Sequence, residues 1–107
     1  ACLGDVGTHF PPGDERWRDA DSMDLLARAV ALVHGAGYGI GNVDVTVICE
    51  RPKIAPLADQ MRGALALRLQ VDPTRVSVKG KTNEGMGWEG RREGLAVHAV
   101  ALLTSAL

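Results

Sequence analysis

The sequence has few cysteines, little net charge and no long apolar run. Its two cysteines, Cys2 and Cys49, are too few for a disulfide framework, so we expect an intracellular protein. The formal net charge is -1, which indicates neither a nucleic-acid nor a membrane partner. No apolar run approaches the roughly 20 residues that a membrane-spanning helix requires. The three histidines have no zinc-ligand spacing with one another or with the cysteines, so we expect this chain to hold no stoichiometric zinc.

A phosphate-binding P-loop is also absent. Gly80-Lys81-Thr82 looks like the end of that motif, which requires a glycine five residues before the Gly-Lys pair, in a loop that opens a helix. In this sequence the position that requires glycine is occupied by Arg75, and residues 76–79 have the alternation of a strand. The P-loop interpretation is therefore rejected.

The periodicity of apolar residues predicts one domain over residues 1–107, with alternating helices and strands. A first helix is expected from its cap Asp21 to Gly35. Residues 42–49 are predicted to form a central strand, because both faces are apolar near its end. A second helix is expected over residues 55–70. Residues 94–103 suit a helix or a buried strand, and their position after a strand and a turn favours a strand.

The beginning of the chain is typical of the tail of a helix. Gly4 is the residue type favoured just past a helix end, so we expect residues 1–4 to close a helix and further residues to precede Ala1. Residues 5–21 are rich in Gly, Pro and Asp and predict a long connection. That connection is either functional or a surface loop whose Phe10 packs into the core.

The most informative stretch follows the strand that starts at Val76. Five glycines from Gly80 to Gly94 let the backbone approach a ligand closely. Residues 81–84 place an ammonium, a hydroxyl, an amide and a carboxylate together where the strand ends, and a diphosphate with a divalent metal could use all four. Lys53 also follows the end of a strand, a favoured ligand position in α/β sheets. The alternative is an ordinary solvated turn.

Several motifs occur in register along the chain. They are Gly-Asp-Val-Gly at 4–7, Phe-Pro at 10–11, Gly-Asn-Val-Asp-Val-Thr at 41–46, Arg-Pro-Lys at 51–53, Gln-Met-Arg at 60–62, Thr-Asn-Glu-Gly-Met-Gly at 82–87, Gly-Arg at 90–91 and Glu-Gly at 93–94. With them the chain resembles the 2-C-methyl-D-erythritol 2,4-cyclodiphosphate synthase family over essentially its whole length. No single motif is specific, but their order makes the resemblance strong.

The resemblance implies an α/β (α+β) fold with a mixed sheet and helices packed on one face. It implies the C-terminal two-thirds of a synthase without its first strands, assembled as a homotrimer with active sites between subunits. The family cyclises 4-diphosphocytidyl-2-C-methyl-D-erythritol 2-phosphate and releases CMP, in the bacterial cytoplasm or in plastids. The alternatives are a non-catalytic remnant that forms trimers or binds cytidine nucleotides, and, more distantly, a generic ferredoxin-like binding module.

The resemblance also assigns roles to individual residues. Thr82 would contact the diphosphate in catalysis, and Glu84 would hold a magnesium or manganese ion that bridges phosphates. The methylerythritol portion would lie near Asp5, Gly7, Phe10 and Asp14. The cytosine and the phosphates would lie near Cys49, Pro52, Lys53, Ile54, Ala55, Gly80, Lys81 and Asn83. Trp88 replaces the usual phenylalanine, and Arg91 matches an arginine near the trimer axis.

Three departures from the family pattern bear on the site. Pro12 stands where an aspartate often follows the Phe-Pro pair, although Asp14 matches a second acidic position. Lys81 adds a cation next to Thr82 that could bind phosphate or reach solvent. The histidines and aspartate that bind zinc in the family would all precede Ala1, so no zinc ligand is assigned in this chain.

Overall fold

The computed structural model describes residues 1–105. The longer elements are two helices and three strands: α2 (Ser22–Gly35), β1 (Tyr38–Ile48), α3 (Ala58–Leu69), β2 (Val76–Lys81) and β3 (Ala96–Ser105). Two one-turn helices, α1 (Val6–His9) and α4 (Gly87–Gly90), and three 3-10 turns, Glu15–Trp17, Ala55–Leu57 and Pro73–Arg75, complete the described elements. No helix within residues 1–105 is long and apolar enough to cross a membrane.

The three strands form a mixed sheet in the order β2-β1-β3. β1 is central, as predicted; it pairs in parallel with β2 and antiparallel with β3. Ile48 at the end of β1 lies opposite Lys81 at the end of β2. The segments that follow these two strands therefore leave the same edge of the sheet, and that edge carries the candidate site.

The core lies between the sheet and the two long helices. Alternate residues of the strands, Val45 and Val47 of β1 and Val76 and Val78 of β2, point to one face and are buried. From the helices, Val30, Ala66 and Leu69 complete this layer. The opposite face carries polar residues such as Asp44, whose carboxylate pairs with Lys79 of the neighbouring strand. The predicted mixed sheet with helices on one face is confirmed.

The helix boundaries follow the predicted signals. Met23 N donates to the Asp21 carboxylate at 2.9 Å, so Asp21 caps α2 as expected. The helix ends at Gly35, as predicted. α3 is preceded by the 3-10 turn at residues 55–57 and ends where Gln70 adopts a left-handed φ of 58°.

The strands are longer than the sequence pattern indicated. β1 starts at Tyr38 rather than at residue 42, because residues 38–41 pair with the end of β3, as in Tyr38 opposite Ser105. The final segment is a strand, as predicted, displaced toward residue 105 by the same pairing. β2 continues through Gly80 to Lys81, two residues beyond the alternating pattern of residues 76–79.

The predicted helix tail at residues 1–4 is wrong. Residues 1–5 are not helical, and Cys2 and Gly4 have left-handed φ values of 55° and 88°. The left-handed Cys2 prevents a continuous right-handed helix from reaching Gly4. Gly4 has the positive φ that is typical of a glycine at a helix end, but the helix lies after it: Asp5 caps α1.

Candidate functional site

A cleft of about 240 Å³ opens at the edge where β1 and β2 end. The residues that line it come from the segment after β1 and from the end of β2. They are Cys49, Glu50, Pro52, Lys53, Ile54, Ala55, Gly80, Lys81 and Thr82. All of these except Glu50 were sequence-predicted site residues, so the cleft brings together the group expected around a nucleotide and its phosphates, apart from Asn83.

The side of the cleft formed by the segment after β1 is held in place by the buried Cys49 and by an additional sheet hydrogen bond. Cys49 N donates to Lys81 O at 3.0 Å, which extends the β1–β2 pairing by one residue. The Cys49 side chain is 5% exposed, and its Sγ lies 3.5 Å from the carbonyl oxygen of Pro52. The chain then turns into the 3-10 helix that precedes α3, and this turn forms the concave side of the cleft.

The floor of the cleft depends on the absence of a side chain at Gly80. A Cβ atom there would lie 2.6 Å from Cβ of Ile54, which is itself 7% exposed. Only glycine allows the backbone of β2 and Ile54 to approach this closely. The cleft is therefore a property of the packing between β2 and the segment after β1.

The rim of the cleft carries positive charge and a hydroxyl group. Lys53, Lys81 and Thr82 are exposed there. Two ammonium groups and a hydroxyl provide donors to phosphoryl oxygens and carry the charge that a diphosphate requires. Among residues 1–105, Glu50 contributes the one carboxylate that lines the cleft.

The turn after β2 is held by Glu50. Its Oε1 accepts hydrogen bonds from Asn83 N and Gly85 N, both at 3.1 Å. Between these amides Glu84 adopts a left-handed φ of 54°, and its side chain is exposed. The side-chain amide of Asn83 donates to Met86 O at 2.9 Å, so this predicted ligand group is engaged within the loop.

The predicted residues Trp88 and Arg91 follow this turn and do not line the cleft. Trp88 lies in α4 and is 45% exposed, and Arg91 forms an ion pair with Glu93 at 3.2 Å. α4 packs closely on the turn, because a Cβ at Gly90 would lie 2.2 Å from the carbonyl carbon of Gly85. Gly90 thus restricts the turn in addition to the hydrogen bonds that Glu50 accepts.

The predicted N-terminal residues Asp5, Gly7, Phe10 and Asp14 also do not line the cleft. The Asp5 carboxylate accepts hydrogen bonds from the Thr8 hydroxyl and from Thr8 N, and these bonds hold the pKa of Asp5 below its ordinary value. Hydrogen bonds and charge from the guanidinium of Arg16 lower the pKa of Asp14 in the same way. Both carboxylates are thus ionised at neutral pH.

Phe10 belongs to a second, wider cleft of about 650 Å³ between the N-terminal segment and α2. Its ring meets Trp17 edge-on, with ring centroids 5.0 Å apart, and the guanidinium of Arg28 lies 4.9 Å from the Trp17 ring. Sequence reasoning missed Trp17 and Arg28, because no periodicity connects a residue of the connection with a helix residue that contacts it.

The side chains of the chain limit which metal ions it can hold. Among residues 1–105, no group of three or more His, Cys, Asp or Glu could hold a metal ion. A zinc site of protein ligands alone does not fit these side chains. The exposed carboxylate of Glu84 fits a different role, because magnesium is commonly held by one or two carboxylates together with substrate phosphates.

Known proteins resemble this chain in sequence and in fold. Residues 1–104 match the profile of the YgbB family. The chain is 51% identical over 106 residues to the 2-C-methyl-D-erythritol 2,4-cyclodiphosphate synthase of Pseudomonas syringae, covering 99% of this chain and 68% of that protein. It is 54% identical over 101 residues to the synthase of a Synechococcus species, covering 94% of this chain and 61% of that protein. The chain thus spans about two-thirds of the length of these relatives.

Solved structures share the fold. The bifunctional IspDF of Campylobacter jejuni superimposes with a TM-score of 0.91 at 35% identity, covering 96% of this chain and 28% of that chain. The IspF CDP complex of Plasmodium falciparum superimposes with a TM-score of 0.82 at 33% identity, covering 95% of this chain and 60% of that chain.

Proposed function

The chain belongs to the YgbB family, and on that premise we propose that it catalyses the formation of 2-C-methyl-D-erythritol 2,4-cyclodiphosphate. In this reaction an oxygen of the 2-phosphate of 4-diphosphocytidyl-2-C-methyl-D-erythritol 2-phosphate forms a bond to the β-phosphorus. The bond between that phosphorus and the bridging oxygen breaks, and CMP leaves with the electron pair. The observation that carries the proposal is the cleft at the ends of β1 and β2, with its cationic rim.

The cleft residues have separate roles in this proposal. The segment from Cys49 to Ala55 encloses the cytosine. Lys53 and Lys81 neutralise phosphate charge, and the Thr82 hydroxyl donates to an oxygen of the diphosphate. Catalysis then consists of positioning and electrostatic stabilisation, which requires preorganised donors but no protein nucleophile.

Glu84 is the residue proposed to hold a magnesium or manganese ion, which would supply charge neutralisation at the phosphates when bound. Its exposed carboxylate, two residues after Thr82 in the chain, supports this role. The side chains described here do not fit zinc, and no step is assigned to it. Trp88 of α4 and Arg91 directly after α4 are proposed to take part in substrate binding from the segment that follows.

The second half of the site is proposed to come from a neighbouring subunit of a homotrimer. Asp5, Gly7, Phe10 and Asp14 would hold the methylerythritol portion, yet they do not line the cleft of their own chain. An active site between subunits accounts for this separation, since one protomer would supply the nucleotide cleft and its partner the N-terminal residues.

Turnover by the full-length gene product tests the proposal. Incubation with 4-diphosphocytidyl-2-C-methyl-D-erythritol 2-phosphate and Mg²⁺ should produce CMP and a cyclic diphosphate in equal amounts, as followed by ³¹P NMR. Binding of CDP without any turnover would contradict the proposal and support a protein that binds cytidine nucleotides only.

A further inference from the structure

Glu50 connects the two segments that form the candidate site. It follows the end of β1, on the same segment as Lys53, and it is half-buried. One oxygen of its carboxylate accepts hydrogen bonds from Asn83 N and Gly85 N, 33 and 35 residues further along the chain, each at 3.1 Å. No other side-chain hydrogen bond within residues 1–105 joins these two segments.

The two amides that Glu50 binds lie on either side of Glu84. Glu84 has a φ of 54° and Gly85 a φ of 78°, a conformation that costs free energy for a residue with a side chain. Hydrogen bonds from backbone amides to a carboxylate are roughly twice as strong as neutral ones, so Glu50 can offset this cost. The contact of Gly90 with the backbone of Gly85 restricts the turn from its other side.

We propose that Glu50 is a positioning residue for the reaction. It orients Thr82 and Glu84 by holding the amides of Asn83 and Gly85. This inference rests on the proposed function, because it assigns the turn at residues 82–85 to phosphate and metal binding. The geometry requires an acceptor atom at this place, and the carbonyl oxygen of a glutamine can supply it.

The test compares variants that keep or remove the acceptor. Glu50→Ala should lower the Mn²⁺ affinity of the CDP-bound protein about 10-fold and kcat by on the order of 10²-fold, as expected for a misplaced catalytic group. CDP affinity should change much less, because the cytosine wall and Lys53 remain. Glu50→Gln should restore both quantities to within about threefold of wild type, because it retains the acceptor.

Two further variants control for the loss of a surface carboxylate and for a failure of Glu50→Ala to fold. Asp24→Ala removes an exposed carboxylate of α2, which does not line the cleft, and should leave all readouts unchanged. If Glu50→Ala does not fold, Glu50→Asp replaces it, because the shorter side chain keeps the charge but does not reach both amides. The amide proton shifts of Asn83 and Gly85 report whether the turn has moved.

The outcomes separate this inference from the proposed function. Absence of turnover in wild type rejects the proposed reaction, and Mn²⁺ affinity in the presence of CDP then decides the role of Glu50. Mn²⁺ affinity equal to wild type in Glu50→Ala overturns the inference. The inference is also overturned if the wild-type protein binds no Mn²⁺ in the presence of CDP. A Glu50→Gln variant whose Mn²⁺ affinity and kcat are as low as those of Glu50→Ala overturns it as well.

Discussion

Thr82 and Glu84 are only two residues apart, yet their side chains offer different chemistry to a diphosphate. Thr82 supplies a hydrogen-bond donor on the rim of the cleft, and Glu84 supplies a carboxylate on the left-handed turn. A donor aimed at developing phosphoryl charge acts on turnover, whereas a carboxylate for a divalent ion acts on the metal requirement. These roles can be separated by experiment.

The first prediction concerns this pair in the full-length gene product. Thr82→Ala should lower turnover by on the order of 10²-fold, because it removes one donor to the transition state, and should leave the metal requirement unchanged. Glu84→Gln should raise the Mg²⁺ or Mn²⁺ concentration needed for activity. The measurement is the rate of CMP release against divalent-ion concentration. A shifted metal requirement in Thr82→Ala alone would reverse the two assignments.

Gly80 and Gly63 form a matched pair for a second prediction. Gly80→Ala should lower the free energy of unfolding by about 1–3 kcal/mol, because the new methyl group would lie 2.6 Å from Cβ of Ile54. Gly63 is exposed in α3 with nothing within 4 Å of an added Cβ, so Gly63→Ala should stabilise by about 0.5–1 kcal/mol. Urea denaturation measures both. Equal effects would show that Ile54 does not restrict the floor of the cleft.

The sequence could predict some site residues and not others, for a physical reason. Lys53 and Thr82 follow strand ends, and the ends of parallel strands are general ligand positions, so their placement was predictable. Glu50 stands between Cys49 and Lys53, but its role depends on two amides more than 30 residues away. No local pattern contains that information, because the parallel pairing of β1 and β2 creates it.

At the scale of elements, Arg62 of α3 holds the start of β2. Its Nε donates to Val76 O at 2.9 Å, and its Nη2 donates to Pro73 O at 3.0 Å. The guanidinium therefore bridges a helix, a 3-10 turn and a strand with one rigid fork of donors. A single ammonium group cannot reproduce this geometry.

The third prediction follows from this fork. Arg62→Lys should lower the free energy of unfolding by about 1–3 kcal/mol, because it removes a donor and leaves a partly buried carbonyl oxygen without its partner. Arg68 lies on the same helix and makes no side-chain hydrogen bond within the described part of the chain, so Arg68→Lys should be nearly neutral. Thermal denaturation compares the two, and a neutral Arg62→Lys would show that α3 and β2 are held by apolar packing alone.

The element boundaries show where local patterns are sufficient. Asp21 and Gly35 bound α2 as expected, since capping and termination depend on residues within one turn. The start of β1 at Tyr38 was not predictable from residues 38–41, whose two glycines disfavour a strand, because pairing with β3 determines it. The predicted helix end at residues 1–4 was wrong although its signal is local, because a single glycine is compatible with either end of a helix.

At the scale of the whole molecule, the edge strand β3 exposes apolar side chains on both faces. Val97 is 53%, Val100 71% and Leu102 57% exposed. The pairing of Val97 with Val47 and of Val100 with Asp44 places the first two on opposite faces of the sheet. A monomer rarely exposes so continuous an apolar strand, so self-association is expected to cover it.

The fourth prediction concerns this surface. The full-length gene product should have three times the mass of its chain in size-exclusion chromatography with light scattering. Val100→Glu should reduce this mass, because a charge would be buried at the interface. Leu67 is 70% exposed on α3, outside the sheet, and Leu67→Glu should leave the trimer intact. A wild-type monomer, or a trimer unaffected by Val100→Glu, would contradict the expected assembly.

The proposed function requires that the cleft at the ends of β1 and β2 binds a cytidine diphosphate. The most direct measurement is an NMR titration of the isotope-labelled protein with CDP. We expect the largest amide shift changes in residues 49–55 and 80–82, and weaker binding in Lys53→Ala because one phosphate-binding cation is lost. Shift changes centred on the wider cleft around Trp17, or CDP affinity unaffected by Lys53→Ala, would contradict the account.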